Sequence, residues 1–293
     1  MAEYSSNLVK DGKGGFIRVP IFISQADLDL IEKEFVARDG DVIVDTYPRS
    51  GTTWTEQMMH LLVNKGEQGN QRLTDAVPWL ETLPQRPNGM SEFLKTLRGR
   101  RLFTSHLPRP LMPPLDHANA RIVYVARNPK DVAISTYFHD QSKAGYEGTW
   151  EEHFQLFLHG QVGYGSYFDH VLPWWQASQR DRNILFLKYE EMKNDHPGSV
   201  ARIASFMDIQ ADSQLIDTVV QLSSFQSMSS NQNTNFNWIP QKADKPKHFR
   251  KGDIGDWRNH FSAEQSRQMD DLVMQKMKGT GLQFDFGDGL ILP

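Results

Sequence analysis

Residues 41–66 read DVIVDTYPRSGTTWTEQMMHLLVNKG, and this stretch restricts the fold more than any other. A short apolar run, Val42, Ile43 and Val44, leads through Tyr47 and Pro48 into a compact turn of Arg49, Ser50, Gly51, Thr52 and Thr53. Trp54, Met58, Leu61 and Leu62 then fall at i, i+4, i+7 and i+8, the apolar spacing of one helix face, and Gly66 is placed to end that helix. The pattern predicts a strand, a tight turn and a helix in immediate succession. A turn so placed presents free backbone N–H groups and the positive end of the helix dipole to an anion.

Three further runs read as strands: RLFTSHL from Arg101, RIVYVAR from Arg121 and ILFLKY from Ile184. All are continuously apolar rather than alternating, as parallel strands covered on both faces require. After the Arg121 run, Asn128 can cap a helix and Pro129 can take its first position. SVARIASFM and SQLIDTVVQL supply further helical faces. Strands alternating with helices predict an α/β fold, three layers α/β/α around a central, mainly parallel sheet. With no internal repeat and no clear linker, residues 1–293 are expected to form a single domain. Residues 67–99 and 226–248, rich in Pro, Gly or polar residues, are predicted as long loops serving as lids or binding loops.

Composition then removes several classes of function. Lys and Arg total 32 against 36 Asp and Glu, a net charge of −4, so no overall basic field points to nucleic acid and any anion site must be local. The absence of Cys excludes disulfides, thiolate nucleophiles and Cys-ligated zinc. No run suits a signal peptide or a membrane span, so a soluble, cytoplasmic protein is expected.

Within the first turn, Gly51 permits close backbone approach, Ser50, Thr52 and Thr53 offer hydroxyl donors, and Arg49 carries a permanent charge. That set suits a phosphate cradle; it equally suits an ordinary helix capped by Ser or Thr. It is not the nucleotide-hydrolase loop G-x-x-x-x-G-K-[ST], because Thr46 stands five positions before Gly51 and Thr52 follows it. Arg127 ends the Arg121 run where a magnesium-binding acid would otherwise be wanted, and Ser135 lies two helical turns on. Together they can grip a second anionic group, or Arg127 can simply pair with Asp131 at the surface. Arg250, Lys251 and Gly252 in RKGDIGDW form a third basic turn, able to close over a nucleotide or to remain a solvated turn. Among ten His residues, His106 follows a strand directly and precedes Leu107 and Pro108. It is the candidate general base, with a purely structural histidine as the alternative.

TYPRSGTTW, RNPKDVAIS and RKGDIGDW, in that order, with TSHLPRPLMP, YGSYFDHVLPWW and LFLKYEEM between them, resemble segments of the cytosolic sulfotransferases over most of the chain. The resemblance implies an enzyme that moves a sulfuryl group from 3′-phosphoadenylyl sulfate (PAPS) to a hydroxyl or amine of a small-molecule acceptor, releasing adenosine 3′,5′-bisphosphate (PAP). It assigns the 5′-phosphosulfate to Arg49, Ser50, Gly51, Thr52, Thr53 and Trp54. The 3′-phosphate goes to Arg127, Ser135, Arg250, Lys251 and Gly252, and adenine contacts to Trp54, Tyr189 and Phe225 with Ser223 beside them. It implies His106 as base, with Arg49 and Ser135 also at the reaction centre. A sulfuryl group carries little charge of its own, so no metal is expected to be required. Trp79, Glu81, Thr104, Tyr137, Phe138, His139, Phe236 and Trp238 lie in segments expected to surround the acceptor.

The chain departs from the family pattern where it matters. Arg49 and Thr104 stand where Lys is usual, the latter two residues before His106. Arg keeps the charge but gives up a proton far less readily. Loss of the Lys at position 104, with Glu81 and Asp140 nearby, is expected to favour a polar or cationic acceptor, unless Arg101 or Arg109 compensates. The family's dimer segment K-x-x-x-T-V-x-x-x-E reads RNHFSAEQSR here, with Ala263 and Arg267 at the apolar and acidic positions, so a monomer or a differently built dimer is expected. A kinase-like phosphoryl transferase and a nucleotide-binding module with weakened catalysis remain the competing readings.

Overall fold

A computed structural model describes residues 6–115, 118–239, 247–287 and 289–292. The chain opens with an antiparallel hairpin of β1 (Ser6–Lys10) and β2 (Phe16–Pro20). The four runs read as strands then form one parallel sheet: β3 (Val42–Thr46), β4 (Leu102–Ser105), β5 (Arg121–Ala126) and β6 (Ile184–Lys188), in the order β4-β3-β5-β6. A short pairing of β7 (Phe284–Asp285) with β8 (Ile291–Leu292) lies near the C-terminus.

The side-chain period of two explains the continuous apolarity. Val42 and Val44 of β3 enter one core with Met58, Leu62, Val200 and Val219, whereas Ile43 enters the other with Phe103, Tyr124, Trp174 and Val273. Helices Thr52–Val63, His196–Phe206 and Ser213–Leu222 therefore cover one face, and helices Pro129–Lys143, Tyr167–Ser178 and Ala263–Met277 the other. This is the predicted three-layer α/β/α fold.

Local signals operate as their chemistry demands. Asn128 accepts from Asp131 N, and Pro129 opens the helix Pro129–Lys143. The helix Thr52–Val63 stops short of Gly66, which, at φ 88°, sends its N–H back to Leu61 O at 2.8 Å. The first predicted loop is more ordered than its composition suggests. Residues 67–99 contain the helices Leu73–Ala76 and Gly89–Thr96 and the 3-10 turn Leu80–Gln85, because Leu73, Leu80, Leu83, Met90 and Leu94 all find places in the cores. The second begins inside the helix Phe225–Ser230, anchored by buried Met228; residues 240–246 lie outside the described residues.

Parallel pairing puts the C-terminal ends of β3, β4 and β5 at one edge. Asp45 stands opposite Ser105 and Thr46 opposite Val125, so the residues following each strand, the Arg49 turn, His106 and Arg127, emerge side by side. Ligand sites in open α/β sheets gather at that edge.

Candidate active site

The turn after β3 is built for something other than its own closure. Arg49 has φ 71° and Gly51 φ 114°, and Gly51 is the N-cap of the helix Thr52–Val63 with no side chain capping it. The ordinary Ser- or Thr-capped helix is therefore not what forms. A Cβ on Gly51 would crowd the Tyr189 ring at 3.0 Å, and φ 114° is a conformation that residues with side chains rarely adopt, so glycine suits the turn. Ser50 is fully buried, and its hydroxyl has no hydrogen-bond partner among the described residues.

His106 sits beside this helix start. Its Nδ1 lies 2.8 Å from Thr46 O, an acceptor, so Nδ1 carries the proton and Nε2 keeps its lone pair. Thr46 Oγ1 is 3.2 Å from the same Nδ1 and 2.7 Å from Thr52 Oγ1, which ties the imidazole to the turn. Trp79 packs edge-on at 5.6 Å and Tyr164 at 5.5 Å. Burial, with Arg49 and His139 nearby, lowers the imidazole to about 4 despite the Thr46 hydrogen bond, so the ring is neutral at ordinary pH.

Three buried carboxyl groups lie along the end of β4. Glu81 Oε1 accepts from His106 N at 2.8 Å while Oε2 has no partner among the described residues, and burial raises Glu81 to about 7. Asp45, in register with Ser105, is fully buried, and neither oxygen has a partner within hydrogen-bond distance among the described residues; burial and then Glu81 push it well above its ordinary range. Burial raises Glu56 to about 7, with Thr104 beside it lowering it in part. Each of Thr104, Ser105 and His106 thus has one acid against it. The segment carrying Trp79 and Glu81 is held to β4 by Thr104 N donating to Pro78 O at 3.1 Å.

Asp140, expected near the acceptor, is buried against two histidines: Oδ2 meets His153 Nε2 at 2.9 Å and Oδ1 meets His139 Nδ1 at 3.3 Å. Arg101 does not replace the missing Lys, because it is buried in a pair with Asp41 at the opposite ends of the strands. Arg109 lies over Trp174 at 6.0 Å. Tyr137 packs on Trp150 and His153, and Phe138 packs on His260 beneath the Arg250 guanidinium; both rings remain half-buried. Phe236 and Trp238 stack on each other at 5.0 Å, and Phe236 stacks on His248 at 4.4 Å.

The cations divide into two groups. Arg49 Nε donates to Ser135 Oγ at 3.2 Å, and burial with Arg127 nearby lowers its guanidinium to about 10. Arg127 is almost wholly buried rather than superficial. It lies 4.5 Å over the Tyr189 ring, donates to Asp253 O at 2.8 Å and stands 3.6 Å from Asp131, while Nε has no partner among the described residues. Arg250 and Lys251 are both tied to Asp256, at 2.6 and 2.5 Å. Burial alone would raise Asp256, but Lys251, Asn259 and Arg250 outweigh it and hold the carboxylate far below its usual range. Tyr189 OH donates to Gly252 O at 2.7 Å, and Trp54 packs edge-on against Tyr189. Ser223 Oγ donates to Val219 O and meets His196 Nε2 at 3.0 Å, and His196 in turn packs on Trp54. Phe225 is partly exposed above Gly252.

Sequence reasoning missed Asp45, Glu56, Asp256, His196 and His248. Asp45 sits within an apolar run, where nothing in the pattern marks an unpaired acid. The basic turn RKGDIGDW did contain Asp256, whose position five residues beyond Lys251 was the available signal.

A parallel sheet whose strand ends present an uncapped helix start, two arginines and a neutral histidine defines a group-transfer enzyme for an anionic donor. The sulfotransferase domain model matches residues 39–281. The chain is 37% identical to sulfotransferase 1B1 of Mus musculus, covering 86% of this chain and 87% of that one, and 35% identical to sulfotransferase 1C2 of Homo sapiens, covering 86% and 88%. Mouse sulfotransferase SULT7A1, solved with PAP, superposes with a TM-score of 0.75 at 30% identity over 93% of this chain and 95% of that one. Retinol dehydratase, solved with retinol and PAP, gives 0.79 at 25% over 93% and 90%. The chain belongs to the cytosolic sulfotransferase family. It is an enzyme of sulfuryl transfer, and phosphoryl transfer is not favoured.

Proposed function

We propose that the enzyme takes PAPS as donor and sulfates a small-molecule acceptor carrying a cationic group near its reacting hydroxyl or amine. The observation that carries the catalytic reading is the His106 tautomer: Nδ1–H is spent on Thr46 O, which leaves Nε2 able to take the acceptor's proton. The donor supplies an activated sulfuryl group. The uncapped turn fits its 5′ end, with the unpartnered Ser50 hydroxyl, Thr52, Thr53 and the Arg49 guanidinium as donors. Arg127, whose buried Nε lacks a partner among the described residues, fits the 3′-phosphate together with Ser135, Arg250, Lys251 and Gly252. Trp54, Tyr189 and Phe225 offer faces to adenine, with Ser223 beside them. Arg49 stabilises charge on the leaving phosphate oxygen without giving up a proton. We take residues 1–293 as one domain and, with the family, place it in the cytoplasm. Among the described residues no helix is long and apolar enough to cross a membrane.

The acceptor class rests on the carboxyl groups beneath His106. Glu81, raised to about 7, loses its proton readily once a cation approaches and has Asp45 beside it, while Glu56, also raised to about 7, lies against Thr104. Trp79 and His139 supply the walls. The test is turnover with labelled donor against amines and alkaloids on one side and phenols, steroids and simple alcohols on the other. Thr104→Lys should depress turnover of cationic acceptors selectively. A wild type that prefers phenols, together with an unchanged cation-to-phenol ratio in the variant, sinks the acceptor assignment.

A further inference from the structure

One histidine touches two residues of the donor turn from across the site. His248 Nδ1 lies 3.4 Å from Arg49 Nη1, its carbonyl oxygen accepts from Arg49 Nη2 at 3.2 Å, and its Nε2 lies 3.3 Å from Thr53 Oγ1. Phe236 stacks on the ring at 4.4 Å, nearly parallel, and fixes its plane. We propose that His248 is a positioning residue for the sulfuryl-transfer centre, setting the Arg49 fork and the Thr53 hydroxyl in the orientation that meets the donor. The inference rests on the donor reading above.

The tautomer follows from the partners. Arg49 has only donors, so Nδ1 must be the acceptor; Nε2 then carries the proton and donates to Thr53 Oγ1. A hydroxyl that accepts this bond keeps its own hydrogen for an anion. Arg49 is held at three corners, by Ser135 through Nε and by His248 through Nη1 and Nη2, which leaves the remaining N–H bonds of the fork directed by the protein rather than by water. Both ring nitrogens of His248 are used, in contrast to His106, so His248 is not poised to move a proton. Burial, followed by the neighbouring Arg49, His139 and Lys143, keeps the ring uncharged, as an acceptor toward arginine must be. A lysine at position 49 would have no fork to orient, so the two residues act as a pair.

The experiment compares His248→Phe, which keeps the stack on Phe236, with His248→Asn, whose Oδ1 can accept from Arg49. Substitution leaves the backbone carbonyl contact in place, so the ring alone is tested. His248→Phe should lower kcat about 10- to 100-fold, the scale of hydrogen bonds to a charged group. Acceptor KM and affinity for PAP, which lacks the sulfuryl group, should move by less than about threefold. His248→Asn should recover part of kcat. Placed on an Arg49→Lys background, His248→Phe should cost little more, because the partner of the ring is gone. Wild-type kcat in His248→Phe, an equal loss of PAP affinity, or independent multiplication of the two effects overturns the proposal. Failure of the donor reading itself is distinct: the wild type would then neither bind PAP nor turn over the donor.

Discussion

At the scale of single residues, the site depends on which nitrogen of a histidine is left open. His106 and His248 lie near the same turn with opposite tautomers, each fixed by a partner that can only accept or only donate. Removing the open one, by His106→Ala, should lower kcat by about 10² to 10⁴ while PAP affinity stays near wild type. Steady-state kinetics with parallel calorimetry would decide it, and near-normal turnover removes His106 from the mechanism. Because burial holds the free-enzyme imidazole at about 4, kcat/KM should show no break near pH 6.5 from this group. The sequence made His106, Arg49 and Arg127 legible because each follows directly on an apolar run, and the end of a parallel strand is a fixed place in space. It could not reveal His248, since the partners of a polar residue in a polar stretch are set by a chain reversal almost two hundred positions away from Arg49.

At the scale of elements, the basic turn after the second long stretch is joined to the rest by its backbone as much as by charge. Asp131, at the start of the helix Pro129–Lys143, accepts from Gly255 N at 2.8 Å and Trp257 N at 3.0 Å, so the helix that carries Ser135 also locates the Arg250 turn. Gly252 is held at φ 71° under the Phe225 ring, where a Cβ would come within 2.7 Å of the ring. Gly252→Ala should therefore weaken PAP binding about tenfold or more through a displaced Phe225 and a strained turn, with the thermal midpoint little changed. Isothermal titration beside a melting curve tests this; unaltered affinity would show that the contact with Phe225 has slack. The four strands were legible from continuous apolarity, whereas the helices within residues 67–99 were not. Their Pro and Gly content is real, but scattered leucines and Met90 find core positions only after β4 and the helix Gln25–Glu34 exist to receive them.

At the scale of the whole molecule, buried titratable groups of opposite kind bound the pH range of stability. His106, at about 4, and His170, at about 3, are depressed below the unfolded imidazole; their contribution is present above pH 6.5 and is lost as pH falls through the folded values. Glu56, Glu81 and Glu190, each near 7, are raised; their contribution is present below the unfolded value of 4.5 and is lost as pH rises through 7. The thermal midpoint should thus be highest in mildly acidic buffer and fall between pH 6 and 8, and Glu56→Gln should flatten the upper fall. A midpoint that climbs steadily from pH 6 to 8 contradicts the assignment. In the segment 258–267, Ser262 and Gln265 close a capping box, and Arg267 pairs with Glu264 on the same helix. The chain should sediment as a monomer or dimerise elsewhere, and a dimer abolished by changes confined to that segment would refute this.

The pairing of Arg250 and Lys251 with Asp256 has a consequence for how the enzyme meets salt. Cations open to solvent gather small anions and release them when a ligand arrives, and this release is what makes polyanion binding fall steeply with ionic strength. Here an internal carboxylate already occupies that place, so a nucleotide phosphate bound by these two cations would exchange with a tethered group that cannot diffuse away. Nucleotide affinity should consequently decline only gently as potassium chloride is raised, and Asp256→Asn should steepen the decline. The same tether sets a threshold: inorganic phosphate or chloride must outcompete a fixed partner before either can occupy the turn.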